Sequence, residues 1–144
     1  MQQISRRTVS ALVTLTLTLG GIAVATAVAA PASAAIPFCN NHYLPAGNSG
    51  VPGFVSGSTT TYNCTLSQGR TGYPVSLLQE SLRFCYGQNI AVDGSFGPAT
   101  RSALIAAQKR VGVAADGVYG PVTAKAIAHS GYANGSGTQF CRKL

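Results

Sequence analysis

The chain reads as mainly α, a small three-helix bundle carrying a disulfide-tied irregular N-terminal arm and C-terminal tail. Three observations predict this. One phrase occurs twice, Asp93 Gly94 Ser95 Phe96 Gly97 Pro98 Ala99 Thr100 and Asp116 Gly117 Val118 Tyr119 Gly120 Pro121 Val122 Thr123, at an offset of 23 residues (116 minus 93). Apolar residues recur at three- and four-residue spacing around these phrases, as on one face of a helix. Four cysteines, Cys39, Cys64, Cys85 and Cys141, are spread through the part of the chain that follows an apolar leader.

The leader comes first. Arg6 and Arg7 precede an apolar run from Ala11 to Ala30, and Ala32 Ser33 Ala34 supplies small residues for cleavage. Residues 1–34 therefore read as a secretory signal peptide. A retained membrane anchor is the competing reading, weakened by Gly20, Gly21 and the threonines at 14, 16 and 18. No stable membrane insertion is expected after cleavage. Arg6 and Arg7 leave twin-arginine and ordinary export both open.

From residue 35 to residue 72 the chain is rich in Gly, Ser, Thr, Asn and Pro and holds no period for more than a few positions, so it reads as a loop-rich arm. Within it Ser58 to Tyr62 has strand propensity and can pair with Gly53 Phe54 Val55. The helical domain is expected over 73–130. Its first helix starts at Pro74 and ends near Tyr86, with Gly87 as terminator and Val75, Leu78, Leu82 and Cys85 on the core face. Ile90 and Val92 tuck inward on the way to the first phrase.

Each phrase turns the chain and starts a helix. The aspartate accepts hydrogen bonds from backbone ahead of it, and Gly94 or Gly117 supplies a positive φ. After the aromatic, Gly97-Pro98 and Gly120-Pro121 place proline at a first helical position, with the glycine before it held out of helical geometry. The second helix runs from Pro98 to about Arg110 and stops at Gly112, with Ala99, Ala103, Ala107, Val111 and Leu104 inward. The third runs from Pro121 to about His129, with Val122, Ala126 and Ile127 inward. The tail, 131–144, is glycine-rich, and Cys141 is the evident reason for it to stay docked.

Without the leader 110 residues remain, enough for one small domain. Eight Lys and Arg against three acids give about +5, scattered along the chain, which suits a polyanionic surface such as a bacterial wall. Nucleic acid would satisfy the same charge, but the leader and the lack of a nucleic-acid fold signature argue against it. Four exported cysteines read as two disulfides with three possible pairings. Cys39–Cys64 with Cys85–Cys141 is preferred, because the first closes the arm on itself and the second pins the tail to a helix.

At these residues the sequence resembles the three-helix peptidoglycan-binding domain, a wall-targeting module of cell-wall hydrolases. The resemblance rests on Leu78 and Gln79, the first phrase, Ala107 and Gln108, and the second phrase, and runs from Tyr73 to about His129. The family usually has a large aromatic where this chain has Ala107. The resemblance implies peptidoglycan, glycan or stem peptide, as the partner of a secreted, wall-associated monomer. It also implies a groove around the helices and turns, with Arg83, Tyr86, Arg101, Gln108 and Tyr119 as ligand-binding residues. The same side chains have structural readings. Tyr119, like Phe96, can plug the core beneath its turn; Gln108 can tie loop backbone; Arg83 and Arg101 can serve solubility alone.

Catalysis finds little to work with. The three acids after the leader are Glu80, Asp93 and Asp116. Both aspartates are accounted for by equivalent turns, and Glu80, a solvated helix charge, lacks the partner carboxylate that a glycosidase needs. His42 and His129 are separated by the whole domain and belong to no metal motif; His129 suits a helix C-terminus. The sequence therefore predicts neither an enzyme nor a metal or other cofactor. The alternative to wall binding is a secreted inhibitor or signalling protein that holds a protein partner with the arm.

Overall fold

The computed structural model describes residues 34–44, 50–133 and 137–144, without the side chains of residues 54 and 55. All but the last residue of the expected signal peptide lies outside the described residues. The order of elements is β1 (Asn41–Tyr43), β2 (Val51–Ser56), β3 (Thr59–Thr61), α1 (Tyr73–Tyr86), α2 (Pro98–Val111), α3 (Pro121–Ala126), β4 (His129–Tyr132) and β5 (Gln139–Arg142). No helix among the described residues is long and apolar enough to cross a membrane.

The mainly-α expectation holds for the centre of the chain and needs correction at both flanks. The arm forms a three-stranded antiparallel sheet in the order β1-β2-β3. Its β2–β3 hairpin pairs Phe54 with Thr61 and Ser56 with Thr59 around a two-residue turn at Gly57. β1 pairs Asn41 with Gly53 and Tyr43 with Val51. Strand propensity identifies Thr59–Thr61, but the three-residue β1, Asn41-His42-Tyr43, becomes a strand only through its pairing with residues 51–53, which composition does not carry. The Cys39–Cys64 disulfide closes this sheet region. Beyond it, residues 64–72 run along the helical domain. Leu66 exchanges two backbone hydrogen bonds with Tyr119 (2.8 and 2.9 Å), and the Phe96 N–H donates to the Arg70 carbonyl (2.8 Å).

The helices start where proline places them. α2 and α3 begin at Pro98 and Pro121, while α1 has Pro74 in its first turn; α1 and α2 end at Gly87 and Gly112. Val75, Leu78, Leu82, Ala103, Leu104, Ala107 and Ile127 enclose Phe96 and Tyr119 in one core. Leu66, from the segment ahead of α1, joins the same core as Ala107, the position where an aromatic would otherwise add bulk. Cys85, Val92 and Ala126, expected in it, are only half-buried and lie outside it, and two further expected core residues are exposed: Ala99 and, at 70%, Val122. At both exposed positions the side chain one position later, Thr100 or Thr123, turns inward, and its hydroxyl donates to the Ser95 or Val118 carbonyl of the preceding turn.

α3 is shorter than expected. Ile127 is extended (φ −82°, ψ 156°), and the chain enters β4, whose His129 pairs with Arg142 of β5. A six-residue helix has little stability of its own, and strand pairing takes over once Cys85–Cys141 holds β5 beside α1. His129 is thus a buried strand residue rather than an exposed helix-terminal cation. Its Nε2–H donates to the Ala124 carbonyl (2.9 Å), and its ring meets Tyr119 edge-on at 6.0 Å.

Burial pushes the His129 imidazole down to about 4. Between that value and the ordinary value near 6.5, the unfolded chain takes up a proton that the folded chain refuses. Stability is therefore full above about pH 6.5, falls as the pH drops toward 4, and has lost about 3 kcal/mol from this group at the bottom of that window. Urea denaturation at pH 7, 5.5 and 4 should show the decline. A His129→Gln variant should show a flatter profile over the same range, whatever its stability at pH 7.

Candidate functional site

Two hydrogen-bond clamps fix the frame of the domain. In the first, the Gln79 amide of α1 reaches the turn ahead of α2. Its Nε2 donates to Asp93 Oδ1 (2.8 Å), the Ser95 carbonyl (2.9 Å) and Thr100 Oγ1 (3.0 Å), and its Oε1 accepts from the backbone N–H of Asp93 and Gly94 (3.1 and 2.9 Å). In the second, Gln108 of α2 reaches the turn ahead of α3. Its Nε2 donates to Asp116 Oδ1 (2.9 Å), the Val118 carbonyl (3.0 Å) and Thr123 Oγ1 (3.1 Å), and its Oε1 accepts from the Gly117 N–H (2.9 Å). Both amides are buried, and two hydrogens are shared among three acceptors in each. Gly94 and Gly117 have φ of 71° and 72°, a backbone conformation that favours glycine.

The aspartates belong to the clamps. The Ser95 N–H, with Gln79, lowers the pKa of Asp93, and the Val118 N–H, with Gln108, lowers that of Asp116. Each is held as an anion by its own turn, which leaves neither suited to taking up or releasing a proton near neutrality. Among the described residues no three His, Cys, Asp or Glu side chains are grouped so as to hold a metal ion.

The open surface lies elsewhere. β4 is held against α1 by the Ser130 N–H, which donates to the buried Ser81 hydroxyl (3.1 Å), while the Gly50 N–H donates to the Ser130 carbonyl (3.2 Å). The Tyr86 hydroxyl accepts from the Ala128 N–H (2.7 Å) at the approach to the strand. Beside this junction a cleft of about 530 Å³ is lined by Glu80, Arg83, Phe84, Val92, Tyr132 and Gln139. A smaller cleft of about 200 Å³ continues it, sharing Glu80 and Tyr132 and adding Tyr73 and Ser76. Phe84, Tyr73 and Tyr132 are about half exposed, at 46%, 58% and 51%. Arg83 and Glu80 have no ion-pair partner among the described residues.

The five residues expected to bind ligand do not come together. Arg83 lines the cleft. Tyr86 is half-buried, with its hydroxyl on Ala128 and the Arg110 guanidinium over its ring at 5.6 Å. Arg101 is exposed and donates to the Asp116 carbonyl (3.0 Å), bracing the second turn. Gln108 and Tyr119 have no exposed surface. The first is consumed by its clamp, and the second is a core plug whose hydroxyl burial raises its pKa well above 10. These two cannot meet a ligand from solvent in this conformation. The cleft residues that sequence reasoning passed over are Phe84, Tyr73 and Tyr132. A signal for Phe84 was present, since it lies off the Val75, Leu78, Leu82 stripe of α1; Tyr132 gave none, because only the tail's pairing brings it there.

Residues 71–127, which contain both clamps, match the model of the family described as "Putative peptidoglycan binding domain". This segment belongs to that family. A comparison with curated proteins finds no match. Among solved structures, the chain is similar to a peptidoglycan-binding protein from Clostridioides difficile in complex with glutamine hydroxamate. The two are 35% identical, over 44% of this chain and 40% of that one, with a TM-score of 0.42. It is also similar to a Burkholderia AP3 phage endolysin (42% identity, 41% of this chain and 22% of that one, TM-score 0.39). A third is the SleB N-terminal domain (34% identity, 42% of this chain and 84% of that one, TM-score 0.41). The chain spans less than half the length of the first two.

The cleft is built partly outside the peptidoglycan-binding-family segment. Glu80, Arg83, Phe84 and Val92 lie within 71–127, whereas Tyr132 and Gln139 come from β4 and β5 beyond it. The family helix supplies the floor and charges, and the disulfide-anchored hairpin supplies the wall.

Proposed function

We propose that this protein is a secreted, non-catalytic module that binds bacterial cell-wall peptidoglycan. The observation that carries the reading is the family match over 71–127, the segment that holds both clamps. The two disulfides suit an oxidising extracellular setting, and the scattered positive charge favours a polyanionic wall. Binding needs a concave surface with a few placed polar groups and apolar faces, and the α1–β4–β5 cleft has that composition. Catalysis needs an acid–base pair, an activated nucleophile or a metal. Of the three carboxylates after the leader, two are committed to turns.

Co-sedimentation of the oxidised protein with purified insoluble peptidoglycan tests this reading. Pelleting is expected to persist in high salt, with no soluble sugar or peptide released from the wall. Pelleting abolished by salt would reduce the interaction to charge alone, and release of fragments would make the protein an enzyme. Absence of pelleting would redirect the search to a protein partner.

A further inference from the structure

The cleft between α1 and the β4–β5 hairpin places a carboxylate and a guanidinium one helical turn apart, at Glu80 and Arg83. Side chains at that spacing are neighbours on the helix surface, yet neither is in an ion pair among the described residues. A neutral ligand covering them would strip water from both charges without replacing it, a cost that grows with burial. A ligand with one charge would satisfy one and leave the other exposed to the same cost. A ligand carrying an ammonium and a carboxylate satisfies both. The half-exposed rings of Tyr73, Phe84 and Tyr132 offer apolar faces for the carbon chain between such groups.

We infer that this cleft binds a peptide segment bearing both a free ammonium and a free carboxylate, the ammonium at Glu80 and the carboxylate at Arg83. The inference rests on the peptidoglycan reading for where such a segment is met, and assigns recognition to the stem peptide rather than to the glycan, whose N-acetylated sugars offer no ammonium to Glu80. Because Tyr132 and Gln139 lie outside residues 71–127, the site is a property of this chain's own hairpin laid on the family helix.

Calorimetric titration of the oxidised full chain tests it. The probes are a soluble stem tetrapeptide with a free side-chain ammonium and a free C-terminal carboxylate, its N-acetylated form, its C-amidated form, and a peptide-free disaccharide of the glycan. The parent peptide should bind and the disaccharide should not. Acetylation should weaken binding about tenfold or more in the wild type and produce no further loss in Glu80→Gln. Amidation should do the same, with Arg83→Gln as the insensitive variant. Both substitutions are on exposed or half-exposed positions and should leave helical circular dichroism unchanged.

Equal response of wild type and variants to the blocked peptides would overturn the assignment of the charges, and disaccharide binding in place of peptide would overturn the ligand class. If the parent peptide fails to bind while the chain still pellets with peptidoglycan, this inference falls and the wall-binding reading stands. If both fail, both fall.

Discussion

Replacing Gln108 with leucine is expected to destabilise the domain by about 4 kcal/mol, since each buried polar group stripped of its partner costs about 1–3 kcal/mol. The variant removes the acceptor of the Gly117 N–H and the donor to Asp116 Oδ1, the Val118 carbonyl and Thr123 Oγ1. Leucine nearly conserves volume, so the loss reports hydrogen bonding more than a cavity. Gln108→Glu should fare no better. It keeps the side-chain length but sets a second carboxylate against Asp116, whose own pKa the clamp lowers. Urea denaturation of the oxidised protein at pH 7 is the measurement. A loss under about 1 kcal/mol would mean that water takes the amide's place, and that the clamp follows the fold without holding it. Small domains have about 5–15 kcal/mol in total, so the predicted loss is a large part of the whole.

Removing the Cys85–Cys141 disulfide by Cys85→Ala with Cys141→Ala is expected to cost about 4 kcal/mol by loop closure, the sequence separation being 56 residues. Its effect is regional as well as global. β5 then loses its covalent tie to α1, and a two-stranded ribbon without such support is marginal. Hydrogen exchange should therefore show lost protection over 129–132 and 139–142, together with lost binding at the cleft, whose wall includes Tyr132 and Gln139. The matching Cys39→Ala, Cys64→Ala pair, with a separation of 25 residues, should cost about 3.5 kcal/mol. That second variant should leave the β4–β5 exchange pattern intact. Equal loss of protection in both variants would show that the flanks melt as one unit with the core.

What the sequence makes legible here is what is local. Pro98, Pro121, Gly87 and Gly112 punctuate the helices within a few residues of their positions, because each acts through its own backbone geometry. The disulfide pairing followed from chain economy, and the β2–β3 hairpin from a threonine run beside Gly57. The errors are non-local. β1 and β4 have compositions that suit loops or a helix end, and become strands through partners on a separate segment of chain, Val51–Gly53 for β1 and Gln139–Arg142 for β4. Gln108 and Tyr119 carry groups suited to a ligand, but burial depends on where Thr123 and Leu66 arrive, and the sequence pattern gives both residues equal claim to either role. The cleft was the least visible feature, assembled from α1, the segment before α2 and two strands of a glycine-rich tail.

The two clamps span different lengths of chain. From Gln79 to Asp93 is 14 residues, whereas from Gln108 to Asp116 is 8, yet both amides grip an aspartate, a carbonyl and a threonine in the same way. The six additional residues of the first interval therefore act as a spacer, and the grip on either side tolerates insertion or deletion between them. Loop entropy adds little resistance, since each doubling of length costs about 0.6 kcal/mol. Val92, which borders the cleft, lies on that spacer. The domain thus holds its helices by a rule indifferent to the length of this connection, leaving the connection free to vary with whatever the cleft must fit.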